Sequence, residues 1–302
     1  MKNACVKNAP AALLLCLTLL FCGCAPVIYG KTDTSAPSEE GGTRDNTETQ
    51  EKTDGESVPV NDMREDYDLG TCKDLSGNVS VILFYIDDFE SAWTDEEISR
   101  FTEYEVEPGL LFLEQEAKKY GIELDLTVKK SYSSIFYDDE VITSIANTGL
   151  ASADVLWHAA VQSGYSSSTK MIEALRKKYK TEEIVCITVF NKGGTSYALN
   201  PKRGTDTKID EHCIVFAREL NTANNGPEGS QAAVVAHEML HLYGAEDLYA
   251  STSRKSLARR YFPNDIMLSA AYDIGTNTVD AATAFYIGWT DTVPEVFWQN
   301  GW

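Results

Sequence analysis

Histidine is scarce in this chain, with 4 in 302 residues, and basic side chains are outnumbered, with 26 Lys and Arg against 46 Asp and Glu. A formal charge of −20 argues against nucleic acid as a partner and against electrostatic adhesion to anionic lipid, because Lys and Arg make those contacts. Cysteine forms no framework. Four of the 7 fall within the first 24 residues, and Cys72, Cys186 and Cys213 follow at no regular spacing. An odd remainder of this kind is not a disulfide scaffold, and Cys186 and Cys213, in predicted strands, read as buried thiols. Long apolar runs are missing too: Ala11 to Phe21 has the length of a secretory h-region, short of the roughly 18 residues that span a membrane. No D-x-D-x-D-G loop is present, so Ca²⁺ is a candidate cofactor without a clear motif, with Asp87-Asp88 and Asp138-Asp139 as weak positions.

What is present begins with the leader. Lys2 and Lys7 precede the apolar run, and Phe21-Cys22-Gly23-Cys24 resembles a bacterial lipobox. That resemblance implies a lipoprotein-type signal peptide over 1–23, lipidation at Cys24 and an extracytoplasmic, membrane-anchored position on a bacterial cell; cleavage near Ala25 and secretion is the alternative. Residues 25–78 hold 13 acidic and 5 basic side chains, a balance of −8, with few large apolar ones. Such a stretch cannot bury enough surface to offset its ordering entropy, so 24–78 reads as a lipidated cysteine followed by a flexible acidic linker or pro-segment. Cys72, at its end, is a candidate thiolate cover for a metal. The remaining domain, 79–302, carries −14, and a monomer is expected.

Two of the four histidines lie in His237-Glu238-Met239-Leu240-His241. At i and i+4 on a helix, both imidazoles reach one Zn²⁺, and Glu238 sits beside the metal as a general base would. Ala232, Val235, Ala236, Met239 and Leu240 recur at helical spacing after the turn-rich 224–229 loop, with Ser230 as a candidate N-cap. Gly244 follows the last turn, where a left-handed residue ends a helix and the chain reverses. That reversal brings Asp247 back towards the metal as a third ligand, leaving a fourth position open as catalytic zinc sites do. Asp280 and Glu295 are the downstream alternatives, and Glu246 is a rival at close range.

The pattern HExxHxxGxxD over His237, Glu238, His241, Gly244 and Asp247, then Leu248-Tyr249, Asp265-Ile266-Met267-Leu268-Ser269 and Ile287-Gly288-Trp289, resembles the immune inhibitor A group of metzincin-type secreted bacterial metalloproteases. The resemblance covers about residues 230–290. It implies Met267 as a Met-turn residue flooring the zinc, and a metzincin-like zincin domain: α+β, a mixed twisted sheet with packed helices above the zinc cleft, and a smaller, mostly irregular or helical C-terminal subdomain. Ala245-Glu246 departs from the Leu-Pro usual in that group.

Elsewhere, Val79–Ile86 reads as a central strand and Thr94-Asp95-Glu96-Glu97 as a capping box. Its helix is interrupted at Pro108 and extended to Tyr120; Ile122–Val128 alternates as a strand. A helix from Ser168 or Thr169 to Tyr179, strands over 184–190 and 212–218, and a helix over 279–286 complete the expectation. Asn191–Ala198, with Gly193-Gly194, is either a loop bordering the substrate cleft or a hairpin turn. The chemistry predicted is hydrolysis of a protein or peptide substrate by Glu238-assisted attack of water at zinc. A surface lipoprotein that binds a partner through a structural zinc, or a zinc amidase acting on cell-wall cross-links, are the alternatives.

Overall fold

The computed structural model describes residues 71–141, 143, 152–181, 183–200, 211–219, 231–269 and 273–292. The expected signal peptide, Cys24, most of the linker, the 224–229 loop, Ser230 and Glu295 lie outside the described residues.

Five strands form one sheet: β1 (Gly77–Asp87), β2 (Leu124–Phe136), β3 (Glu183–Gly194), β4 (Tyr197–Leu199) and β5 (His212–Glu219). Their order is β2-β1-β3-β5-β4; β1, β2, β3 and β5 run parallel and β4 is an antiparallel edge. Period-two alternation splits each central strand between two cores. Val81, Leu83 and Tyr85 of β1, Val185, Ile187 and Val189 of β3, and Val215 of β5 face one; Ile82, Phe84, Ile86, Cys186, Phe190 and Phe216 face the other. Because both faces are covered, the strands read as apolar runs rather than half-polar ones.

On the first face pack α1 (Asp95–Phe101), α2 (Glu107–Lys119) and α5 (Gln231–Leu242), followed by α6 (Thr252–Tyr261), a 3₁₀ turn (Ile274–Thr276) and α7 (Ala281–Tyr286). On the second lie α3 (Val155–Gln162) and α4 (Ser168–Tyr179). The capping box forms as expected, with Glu97 N–H donating to Thr94 Oγ1 and Thr94 N–H to Glu97 Oε2. Pro108 does not interrupt the helix. A π-helical turn, Thr102–Val106, joins α1 to α2, with Glu107 N–H bonded to Thr102 O. Proline then falls in the first turn of α2, where its missing N–H costs little.

Gly193-Gly194 is neither a loop nor a hairpin turn. β3 runs on to Gly194, and the chain then passes over β5 to form β4 on its far side. A Cβ at Gly194 would lie 2.5–2.7 Å from the Phe216 ring, so this crossing needs glycine. Residues 71–75, assigned to the linker from sequence, are part of the fold. Thr71 and Cys72 N–H groups donate to Glu211 Oε2 (2.5 and 3.1 Å), and Trp289 Nε1 donates to Leu75 O (2.6 Å).

Candidate metal centre

The HExxH run lies on α5, which crosses α2 closely because α2 carries Gly109 at the contact. A Cβ there would stand 2.7 Å from Ala232 O. Glu105, in the π turn, accepts from Ala232 N–H (3.0 Å) at the helix's first turn. An acidic side chain there serves both an orphan donor and the positive end of the helix dipole. At the other end Gly244 has φ +91°, with Gly244 N–H bonded to His241 O and Ala245 N–H to Leu240 O. This is a Schellman turn, so Ala245-Glu246 closes the helix as tightly as geometry requires without a proline.

That turn also fixes the His241 ring. Ala245 O lies 2.7 Å from His241 Nδ1, and Ile266 O lies 3.0 Å from His237 Nδ1. A carbonyl only accepts, so in both rings Nδ1 carries the proton and Nε2 of the neutral imidazole is a bare lone pair. Both Nε2 atoms are aimed at one oxygen: Asp247 Oδ1 is 3.2 Å from that of His237 and 3.4 Å from that of His241. Asp247 Oδ1 is buried and accepts no hydrogen bond of proper geometry. Three electron-rich atoms at this distance repel unless a proton or a cation lies among them.

Zn²⁺ fits this donor set. Ligand atoms about 2.0–2.1 Å from one tetrahedral ion stand about 3.3 Å apart, matching both contacts, and two imidazoles plus one carboxylate leave a position open. The Nδ1–carbonyl bonds supply the tautomer control that metal-bound histidines need. Glu238 is buried beside them, and one donor atom each of His237, Glu238 and His241 lies within 4.8 Å of the others. Without an ion the same crowding acts on protons. Burial lowers the proton affinity of His237, but Asp247 and Glu238 outweigh it and raise its pKa to about 9. Burial likewise opposes ionisation of Asp247, yet the two imidazoles hold it well below the usual carboxylate range.

The rivals are placed elsewhere. Glu246 pairs with Arg254 of α6. Asp280 precedes α7, and its N–H donates to Asp265 Oδ2 (2.8 Å). Met267 is fully buried in the same core as Met239 and Leu240, and its carbonyl accepts from Leu248 N–H (3.0 Å). The 265–268 segment therefore holds both His237 and the chain next to Asp247. Cys72 does not cover the centre: it is buried with Sγ 3.7 Å from Ile184 O, and burial pushes its thiol pKa up. None of the three described cysteines is in a disulfide. Asp88 is engaged by Lys192 Nζ (2.6 Å) and by the N–H groups of the 90–91 turn.

Several contributors went unread in the sequence. They are the carbonyls of Ala245 and Ile266, Glu105, Gly109, Arg254, and Asn200, whose Nδ2 donates to His241 O (2.6 Å). Only Glu105 and Gly109 left a signal, being four apart on one helical face.

No protein-family model matches this chain, and no curated protein matches it. Among solved structures, it aligns with the crystal structure of metalloproteinase-II from Bacteroides fragilis at 14% identity and a TM-score of 0.31. The alignment covers 74% of this chain and 60% of that one, so the chain spans less than two thirds of that protein's length. A TM-score of this size establishes no common fold; the candidate metal centre stands on its side-chain geometry.

Proposed function

We propose that this chain is a zinc-dependent endopeptidase of the metzincin type, working outside the cytoplasm from a lipid anchor at Cys24. One observation carries the reading: two imidazoles, each held by a backbone carbonyl in the tautomer that frees Nε2, converge on one Asp247 oxygen with a buried glutamate alongside. The lipobox-like leader supports the location, and the immune inhibitor A likeness of 230–290 supports the type.

His237, His241 and Asp247 would hold the ion. Bound there, Zn²⁺ supplies Lewis acidity, polarising the scissile carbonyl and making water easier to deprotonate. Glu238 takes the proton of the attacking water as its oxygen bonds to the carbonyl carbon. It then delivers that proton to the amine nitrogen as the C–N bond breaks. Among the described residues β4 pairs only with β5, and Asn200 at its end is tied to His241. A peptide added along the outer edge of β4 by backbone hydrogen bonds would thus pass the centre.

Zinc stoichiometry tests the assignment. Wild type and Glu238→Gln should bind one equivalent, with peptide turnover lost by at least 100-fold in the variant. His237→Ala and Asp247→Ala should lose the metal. Zinc retained at full affinity by Asp247→Ala would remove Asp247 from the ligand set.

A further inference from the structure

Two residues beyond Asp247 the chain presents an aromatic ring that the hydrolytic chemistry does not use. Leu248 is buried and its N–H is bonded to Met267 O, while Ala250 N–H closes a turn onto Asp247 O (3.2 Å). Tyr249 is thereby turned outward. Its ring lies nearly parallel to the His237 imidazole, 9° between planes and 6.5 Å between centroids, in stacking range yet 39% exposed. Tyr243 and Tyr286, on neighbouring elements, are buried. The outward face of this ring is an apolar surface beside the centre.

We infer that Tyr249 forms a wall of the subsite receiving the substrate side chain next to the bond being cut, and selects aromatic or large apolar residues there. This rests on the peptidase reading above. The alternative role is internal: the ring only packs on His237 and steadies it.

The test compares zinc-loaded wild type, Tyr249→Ala and Tyr249→Phe on peptide pairs that carry Phe or Ser at one position flanking the cut. Wild type should prefer Phe about 10-fold in kcat/KM, mostly through KM, the effect expected when a half-exposed ring is buried by an apolar partner. Tyr249→Phe, which keeps the ring, should preserve that ranking, and Tyr249→Ala should abolish it with zinc content unchanged. The same contrast should appear in binding of the uncut peptides to Glu238→Ala and to Glu238→Ala/Tyr249→Ala. A ranking that survives in Tyr249→Ala overturns the inference while leaving the peptidase reading intact. Loss of zinc from Tyr249→Ala does so too, assigning the ring to His237 alone. Failure of zinc-loaded wild type to cut any peptide strikes the peptidase reading itself.

Discussion

At the residue scale, the decisive fact is which nitrogen carries the proton. His237 and His241 each spend Nδ1 on a main-chain carbonyl, so each offers Nε2 to whatever sits against Asp247. A second buried carboxylate supports this arrangement from behind. Asp265 is fully buried and accepts from Met267 N–H, Asp280 N–H and Thr283 Oγ1, each at 2.8 Å. Burial raises its pKa to about 7 from 3.8 against the pull of those bonds. The folded chain therefore holds this proton more tightly than the unfolded one. The stability it contributes is complete below the ordinary aspartate range and is lost as pH rises through about 7, at up to roughly 1.4 kcal/mol per pH unit. Thermal unfolding of wild type against Asp265→Asn from pH 4 to 8 checks this: wild type should lose stability relative to the variant. A gap that stays constant would mean that Asp265 is ionised throughout. His237, Glu238, His241 and Asp247 were legible in sequence because one helical turn and one glycine reversal set their spacing locally. The Ala245 and Ile266 carbonyls were not, since every residue has one and no side chain marks those that are used.

At the element scale, α5 is seated by a device that looks like an irregularity. The π turn before Pro108 carries Glu105 to the N-terminus of α5 and Gly109 onto its flank. Gly109→Ala should destabilise the protein by about 1–3 kcal/mol, because the new methyl meets the Ala232 carbonyl rather than a movable side chain. Calorimetric unfolding measures it, and a neutral result would show that the two helices can part freely. The strands β1, β3 and β5 were legible because burial on both faces makes their sequences almost wholly apolar. β4 was missed because three residues carry too little alternation, and the glycines before it suggest a turn. α6 escaped because Thr252–Tyr261 has little apolar periodicity; Ser251, accepting from Arg254 N–H (3.2 Å), marks its start. Pro108 misled because proline breaks a helix only where its N–H is needed.

At the scale of the whole molecule, the folded body begins earlier than composition suggests. Polar, acidic sequence continues through residue 78, but Leu75 is fully buried, its N–H bonds to Ile287 O (3.0 Å), and Glu211 holds Thr71 and Cys72. These contacts lie far apart in sequence, which is why no local pattern announced them. A chain shortened to begin at residue 79 should melt well below one beginning at 71, and equal melting temperatures would reduce the strap to decoration. The sheet with helices on both faces then has one task for function, holding α5, the 245–249 turn and the 265–268 segment in register. The measurement that tests this most directly is mass-spectrometric cleavage of a diverse peptide library by the zinc-loaded protein beside Glu238→Ala. Cuts made by wild type and absent from the equally zinc-loaded variant are the predicted result. Cleavage undiminished in Glu238→Ala, or none by folded, zinc-loaded wild type, would contradict it.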